Sequence, residues 1–170
     1  NAFASTKLSS LVIYDKVVNI GASAFNIDSL KSVEFKGTSN PECGATVFTS
    51  TITSVTVPIG YTEDNFCTEI PISEGSCASD GSKACWYTYN HNEKSMKITG
   101  NGDMIDWTTR TNVPWNIKME SISTLTVTKS GNIGSNAFNG ATQIQSVSLK
   151  TITTIGNYAF AGCTSMTSII

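Results

Sequence analysis

The stretch Ile133-Gly134-Ser135-Asn136-Ala137-Phe138 returns one period later as Ile155-Gly156-Asn157-Tyr158-Ala159-Phe160. The same phrase stands earlier as Ile20-Gly21-Ala22-Ser23-Ala24-Phe25, and its tail, Asn1-Ala2-Phe3, lies one period before that. Between the phrases runs a second pattern, apolar-x-x-apolar-x-apolar. It reads Leu8/Leu11/Ile13, Leu30/Val33/Phe35 and Ile52/Val55/Val57, then Ile122/Leu125/Val127, Ile144/Val147/Leu149 and Met166/Ile169. The step is constant throughout, except for the jump from Ile52 to Ile122. A fixed period of about 22 residues marks a solenoid, in which one coil cannot bury its apolar side alone and stacked coils share a continuous core.

Alternation within each triplet defines the coil. Leu11 and Ile13 point inward while Ser10, Val12 and Tyr14 point out. The Val, Ile and Thr content supports short strands. One strand per period, stacked in register, makes a parallel sheet along one side. The Ile-Gly-x-x-Ala-Phe phrase supplies the return path: Ile and Phe fill the interior, Ala keeps the turn tight, and Gly is expected to provide a backbone bend closed to other residues. The predicted fold is a leucine-rich-repeat solenoid of short parallel β-strands with irregular return loops, interrupted by an antiparallel β-hairpin cap. The third unit reads as degraded, with Thr46-Val47-Phe48 in place of x-Ala-Phe, and the first array is expected to stop at Pro58. Residues 59–76 read as a closing loop and linker. Trp86-Tyr87-Thr88-Tyr89 and Met96-Lys97-Ile98-Thr99 then predict a hairpin around a polar loop. Three segments follow: 1–72, the end of a first array with its closing loop; 73–118, the hairpin cap opening a second array; and 119–170, a truncated second array. Because the chain starts and stops inside a repeat, it is expected to be part of a longer protein.

Charged residues make up 14% of the chain, against roughly 25% in ordinary globular proteins. The net charge is -2 and Arg110 is the single arginine, so a phosphate-binding surface for nucleic acid is not expected. No apolar run is long enough to predict a membrane span, and no signal peptide is visible. Cys43, Cys67, Cys77 and Cys85 lie outside the regular repeats, in polar, Gly-containing loops, which predicts disulfides and an oxidising compartment. Pairing Cys43 with Cys67 and Cys77 with Cys85 is one choice among the three that four cysteines allow. Zinc is the competing reading, but the cysteines are widely spaced, no C-x-x-C occurs, and His91 is distant. No metal or cofactor is expected. Cys163, inside a repeat, reads as a buried free thiol.

The phrases Ile-Gly-x-x-Ala-Phe, Ala159-Phe160-Ala161-Gly162-Cys163-Thr164-Ser165-Met166 and Leu-x-x-Leu-x-Ile resemble the BspA-type leucine-rich repeat. Gly75-Ser76-Cys77, Trp86, the run from Met96 to Met104, Asp106-Trp107 and Pro114-Trp115 are similar to the segment that opens many such arrays. The resemblance implies a surface or secreted protein of a bacterium or protist, often an adhesin for host proteins or other cells. Members share no catalytic residues, so it assigns none here. Two departures stand out: the second cysteine of the Cys77/Cys85 pair, where many relatives have one, and the presence of the end of one array beside the start of another.

The outward strand columns are the candidate binding surface. The first reads Ser10, Ser32, Ser54, Thr124, Ser146, Ser168; beside it lie Val12, Glu34, Thr56, Thr126, Ser148, Ile170, then Tyr14, Lys36, Pro58, Thr128, Lys150. A flat hydroxyl ladder with few charges suits a protein or glycan partner, and the candidates are Ser10, Val12, Tyr14, Ser32, Glu34, Lys36, Thr124, Thr126, Ser146, Ser148 and Lys150. The plainer alternative is that Ser and Thr fit a narrow parallel sheet. The hydroxyls are also candidate sites for O-linked sugars, whereas no N-x-[ST] sequon occurs. Trp86, Trp107 and Trp115 offer a sugar-stacking platform or, more simply, core and cap residues. His91 sits in a polar loop and is expected to be solvated. Asp103 and Asp106 flank two apolar residues, but neither a glycosidase pair nor a calcium loop is complete, which leaves turn and cap roles. With no G-x-S-x-G, P-loop or H-E-x-x-H, an enzyme is not predicted. The expected function is an extracellular or cell-surface interaction or adhesion module that binds proteins or glycans through its strand face. The alternative is a structural subunit of an extracellular fibre or coat, self-associating end to end.

Overall fold

In the computed structural model, which describes residues 3, 6–49 and 51–170, the apolar triplets lie in short strands paired in parallel one period apart. The chain divides into two units, Asn1–Ser73 and Glu74–Ile170.

In the first unit Ser10–Ile13 pairs with Ser32–Phe35, which pairs with Ser54–Thr56, and Ser10, Ser32 and Ser54 stand opposite one another. Ile13, Val33, Phe35 and Val55 are buried while Val12 is exposed, the two-residue alternation of a half-buried sheet. On the return side Asn19–Ile20 pairs with Glu42–Cys43, and Phe25 bridges Phe48. The phenylalanine of each phrase stacks on the next: ring centroids of Phe3 and Phe25 are 5.4 Å apart, those of Phe25 and Phe48 5.9 Å, both pairs within 15° of parallel. Ring contacts at this distance add to the burial of the rings themselves.

Two expectations about this unit are corrected. The third phrase is not degraded. Val47 and Phe48 are buried, and Phe25 N–H donates to Val47 O at 2.9 Å, so valine fills the alanine position without opening the coil. Nor does the sheet end at Pro58. Pro71–Ser76 is a strand whose Pro71 and Ile72 pair in parallel with Val55 and Thr56, and Tyr61 and Phe66 between them are fully buried. Residues 59–76 therefore form a shortened coil rather than a loop and linker. The bridge Cys43–Cys67 ties it to the preceding return strand, with Cα atoms 5.4 Å apart.

The second unit opens with the antiparallel hairpin Trp86–Asn90 and Ser95–Thr99. Its second strand pairs in parallel with Thr124–Val127, Met96 opposite Leu125. Two short 3-10 helices, Arg110–Asn112 and Asn116–Ser121, lead into the repeats. Gly131–Ile133 then pairs with Ile152–Ile155, and Ser146–Val147 with Ser168–Ile169. The ring ladder recurs here as Trp115, Phe138 and Phe160, at 5.6 and 5.4 Å. Trp115 takes the position a repeat phenylalanine would hold, and its indole N–H donates to Ala137 O at 2.9 Å. Cys77 and Cys85 are bridged with Cα atoms 4.9 Å apart.

Glycine in the phrase serves a different purpose from the one expected. Gly21, Gly44, Gly134 and Gly156 all lie outside the left-handed region. The residue two places on adopts it instead: φ is 55° at Ser23, 50° at Thr46, 60° at Asn136 and 57° at Tyr158. At Gly44 and Gly134 the constraint is space. A Cβ at Gly44 would overlap the backbone of Ala22, and one at Gly134 the carbonyl oxygen of Ile105. Side-chain hydroxyls reinforce the stack by donating one coil back: Thr53 to Lys31 O (2.9 Å), Thr151 to Lys129 O (2.6 Å) and Thr153 to Gly131 O (3.1 Å).

Close packing at glycine predicts a contrast between two substitutions, read by denaturant unfolding. Gly134→Ala should destabilise by about 1–3 kcal/mol, the usual cost of overpacking. Gly21→Ala, whose Cβ meets nothing within 4 Å, should be neutral or stabilising by up to about 1 kcal/mol. Equal losses at both would sink the packing account. Replacing Cys43 and Cys67 together by serine, which opens a loop of sequence separation 24, should cost about 3 kcal/mol in the same assay.

Candidate binding surfaces

In the first unit the structure brings the predicted strand-face residues together. Ser10 lies opposite Ser32 and Val12 opposite Glu34, while Tyr14 and Lys36 continue the two strands outward. Val12 and Tyr14 are 45% and 65% exposed, large values for an aliphatic and an aromatic side chain. Lys36 and Glu34 form an ion pair with both side chains about half exposed, a pair that adds little to stability but leaves the patch electrically neutral.

In the second unit Thr124 and Thr126 lie on Thr124–Val127, Ser146 on Ser146–Val147, and Ser148 and Lys150 follow that strand. All five are exposed, whereas the alternating Leu125, Val147 and Leu149 are buried. The hairpin adds to this face: Ser95 stands opposite Thr124 and Lys97 opposite Thr126. No local pattern couples hairpin to repeat, so sequence alone does not reach these two. The hydroxyls fall into two groups. Those of Thr53, Thr151 and Thr153 bond to the coil behind, whereas among the described residues Ser10, Ser32, Thr124, Thr126, Ser146 and Ser148 make no such bond and face outward.

The remaining candidates resolve into structural roles. Trp115 is fully buried, and the edge of Trp107 packs on it at 5.2 Å. Trp86 is half-buried, donates to the Glu74 carboxylate at 3.2 Å and carries the Lys83 ammonium 5.0 Å from its ring centre. The three tryptophans therefore present no common exposed platform. His91 is not solvated but 1% exposed, with its ring edge on Tyr89 at 5.0 Å. The inward alternation Tyr87, Tyr89 simply continues into the turn and carries His91 with it. Cys163 is only partly buried, its thiol donating to Phe138 O at 3.2 Å, and burial pushes its pKa up.

The two carboxylates have separate partners. Asp106 accepts from the backbone N–H and hydroxyl of Ser135 at 2.7 and 2.8 Å, which holds its carboxyl below the usual range. Asp103 neighbours Lys129, a fully buried lysine outside the predicted set. Its ammonium donates to Ser130 O at 2.5 Å and Asn132 O at 2.6 Å. Burial lowers the Lys129 pKa, and the charge of Asp103 opposes that shift. The alternation Leu125, Val127, Lys129 is the signal in the sequence. Among the described residues no three His, Cys, Asp or Glu side chains converge as a metal site.

A family model described as "BspA type Leucine rich repeat region" matches the chain in six copies, over residues 1–70 and 116–170. The hairpin lies between the two matched segments. Neither the curated proteins nor the solved structures contain a match.

The Asp106–Ser135 contact generates a pH prediction. A carboxyl whose folded-state pKa lies below its unfolded value contributes stability that is complete above about pH 4 and is lost as the pH falls. Asp106→Asn should lower the thermal unfolding midpoint at neutral pH and flatten its decline between about pH 4 and 2. An unchanged acid slope would show that the contact does not favour the ionised carboxylate.

Proposed function

The chain belongs to the BspA-type leucine-rich repeat family, and from that premise we propose that it is an extracellular or cell-surface adhesion module that binds a protein partner through its strand face. Leucine-rich-repeat solenoids are typically non-enzymatic interaction scaffolds, and proteins of this family are typically surface proteins. The observation that carries the reading is the open patch of the first unit. Val12 and Tyr14 are exposed beside the self-compensating pair Glu34 and Lys36, on a sheet where the hydroxyls of Ser10 and Ser32 make no bond to the coil behind.

That chemistry favours a protein surface. An exposed tyrosine supplies large contact area at low entropic cost and is enriched among residues that dominate binding energy. A neutral charge pair can re-pair with a partner's side chains without leaving a buried charge. The two disulfides suit an oxidising environment, and among the described residues no helix is long and apolar enough to cross a membrane.

The test is a binding screen against extracellular-matrix and cell-surface proteins. At least one should bind saturably, with Tyr14→Ala or Lys36→Glu weakening it by about tenfold or more. Binding unaffected by both changes would remove the strand face from the reading. Ordered fibres in electron microscopy of native material, with Val12 and Tyr14 buried between subunits, would replace adhesion by the structural role.

A further inference from the structure

We infer that the second unit carries a separate site, on its return side, for a neutral saccharide. A shallow depression of about 560 Å³ lies there, within the range of small-ligand sites. One wall is the segment Trp107–Arg110, which precedes the repeats; the floor is Ser135, Asn136 and Asn139; the far side is Asn157 and Tyr158. No residue of the strand face contributes to it.

The site is built rather than incidental. The amide of Asn136 donates to Trp107 O at 2.9 Å and accepts from Asn139 Nδ2 at 2.9 Å, so both floor amides are held in fixed orientations. Asn157 N–H donates to the Ser135 hydroxyl at 3.2 Å, which sets the far side against the floor one coil away. Asn136 N–H also donates to the backbone carbonyl of Asn157 at 2.9 Å, which keeps the two asparagines side by side on adjacent coils. The Asn157 side chain and the Asn139 carbonyl oxygen make no hydrogen bond to other described residues, and each amide offers both a donor and an acceptor.

Tyr158 supplies the apolar element. It is 71% exposed and sits at the left-handed position of its phrase, where the other phrases place Ser23, Thr46 and Asn136. A bulky residue is the least suited to that backbone region. At the equivalent position Thr46 is likewise exposed, while Ser23 and Asn136 are half-buried. An aromatic ring held outward beside fixed amides matches a sugar, whose C–H face packs on the ring while its hydroxyls pair with the amides.

Charge decides against an anionic ligand. Arg110 is the only ionised group among the described residues lining the depression. Its guanidinium is already paired with Glu120 at 2.9 Å and Asn116 at 3.1 Å, and it lies against Gly140, where a Cβ would overlap it. It serves as a neutralised wall.

The experiment is an array of neutral glycans bearing terminal hexoses and N-acetylhexosamines, with sialylated and sulfated counterparts alongside. The strongest neutral hit is then titrated by calorimetry. The expected result is saturable binding that Tyr158→Ala and Asn157→Ala each weaken at least tenfold, while Tyr158→Phe retains it and Tyr14→Ala leaves it unchanged. Unfolding midpoints confirm that the exposed substitutions leave the fold intact, and Asn157→Ala carries the test if Tyr158→Ala does not fold. Three results overturn the inference: no neutral glycan bound, preference for the acidic counterparts, or full binding by both alanine variants. Because Tyr14 and Lys36 belong to the first unit, loss of the strand-face reading and loss of this one are read by different variants.

Discussion

The structure depends on how closely its coils approach along the return path. Backbone meets backbone there. Gly44 lies against Ala22, and Gly134 against Ile105, with no room for a Cβ. That distance allows the return phrases to hydrogen-bond to each other, with Ser23 N–H to Ala45 O at 3.1 Å, Phe25 N–H to Val47 O at 2.9 Å and Phe138 N–H to Ala159 O at 2.7 Å. A buried backbone group without such a partner is costly, so these bonds are a requirement of the fold. The same spacing brings successive phenylalanines to ring-stacking distance. One constraint therefore accounts for the glycine, the phenylalanine and the small residue before it.

Periodicity made the coils legible because each position of the period has one environment. It failed where the period breaks. The strand Pro71–Ser76 follows Ser54–Thr56 by less than one full period and begins with proline, so neither the register nor the composition announced it. Its place is fixed by contacts distant in sequence: Ser73 donates its hydroxyl to Val57 O, and Val57 N–H donates to Ile72 O. The role of glycine was illegible for a related reason. A glycine is equally compatible with an unusual backbone and with a near neighbour, and only the folded chain tells the two apart.

His91 and Lys129 teach a different lesson. Both are polar residues continuing an inward-facing alternation, after Tyr87 and Tyr89 and after Leu125 and Val127. Polarity argued for solvent, while strand geometry argued for the interior and prevailed. For Lys129 the backbone carbonyls of Ser130 and Asn132 receive the ammonium, which is the compensation a buried cation needs. The candidate surface was only half legible on the same grounds. Threonines that staple one coil to the next and threonines that face solvent are identical in composition. Their position within the coil separates them, and the hairpin's Ser95 and Lys97 joined the face through a pairing no local pattern encodes.

The same geometry explains where such a chain is free to vary. In Ile-Gly-x-x-Ala-Phe most fixed letters meet the core or the neighbouring backbone, Gly21 and Ile155 being the exceptions, whereas the two variable positions stay at least partly exposed in both units. They read Ala22-Ser23 and Ala45-Thr46 in the first, Ser135-Asn136 and Asn157-Tyr158 in the second. The second of each pair holds a left-handed backbone that costs a non-glycine residue roughly 1–2 kcal/mol, so small polar residues and asparagine are the least strained choices. Tyrosine at 158 gains nothing there that stability alone would select, since the ring remains largely exposed. Its presence beside oriented amides shows how a coil can change its outer chemistry without disturbing its inner contacts. The strand face offers the same freedom at Val12, Tyr14, Glu34 and Lys36. A solenoid of this kind separates the residues that hold it together from those left free to vary on its outside.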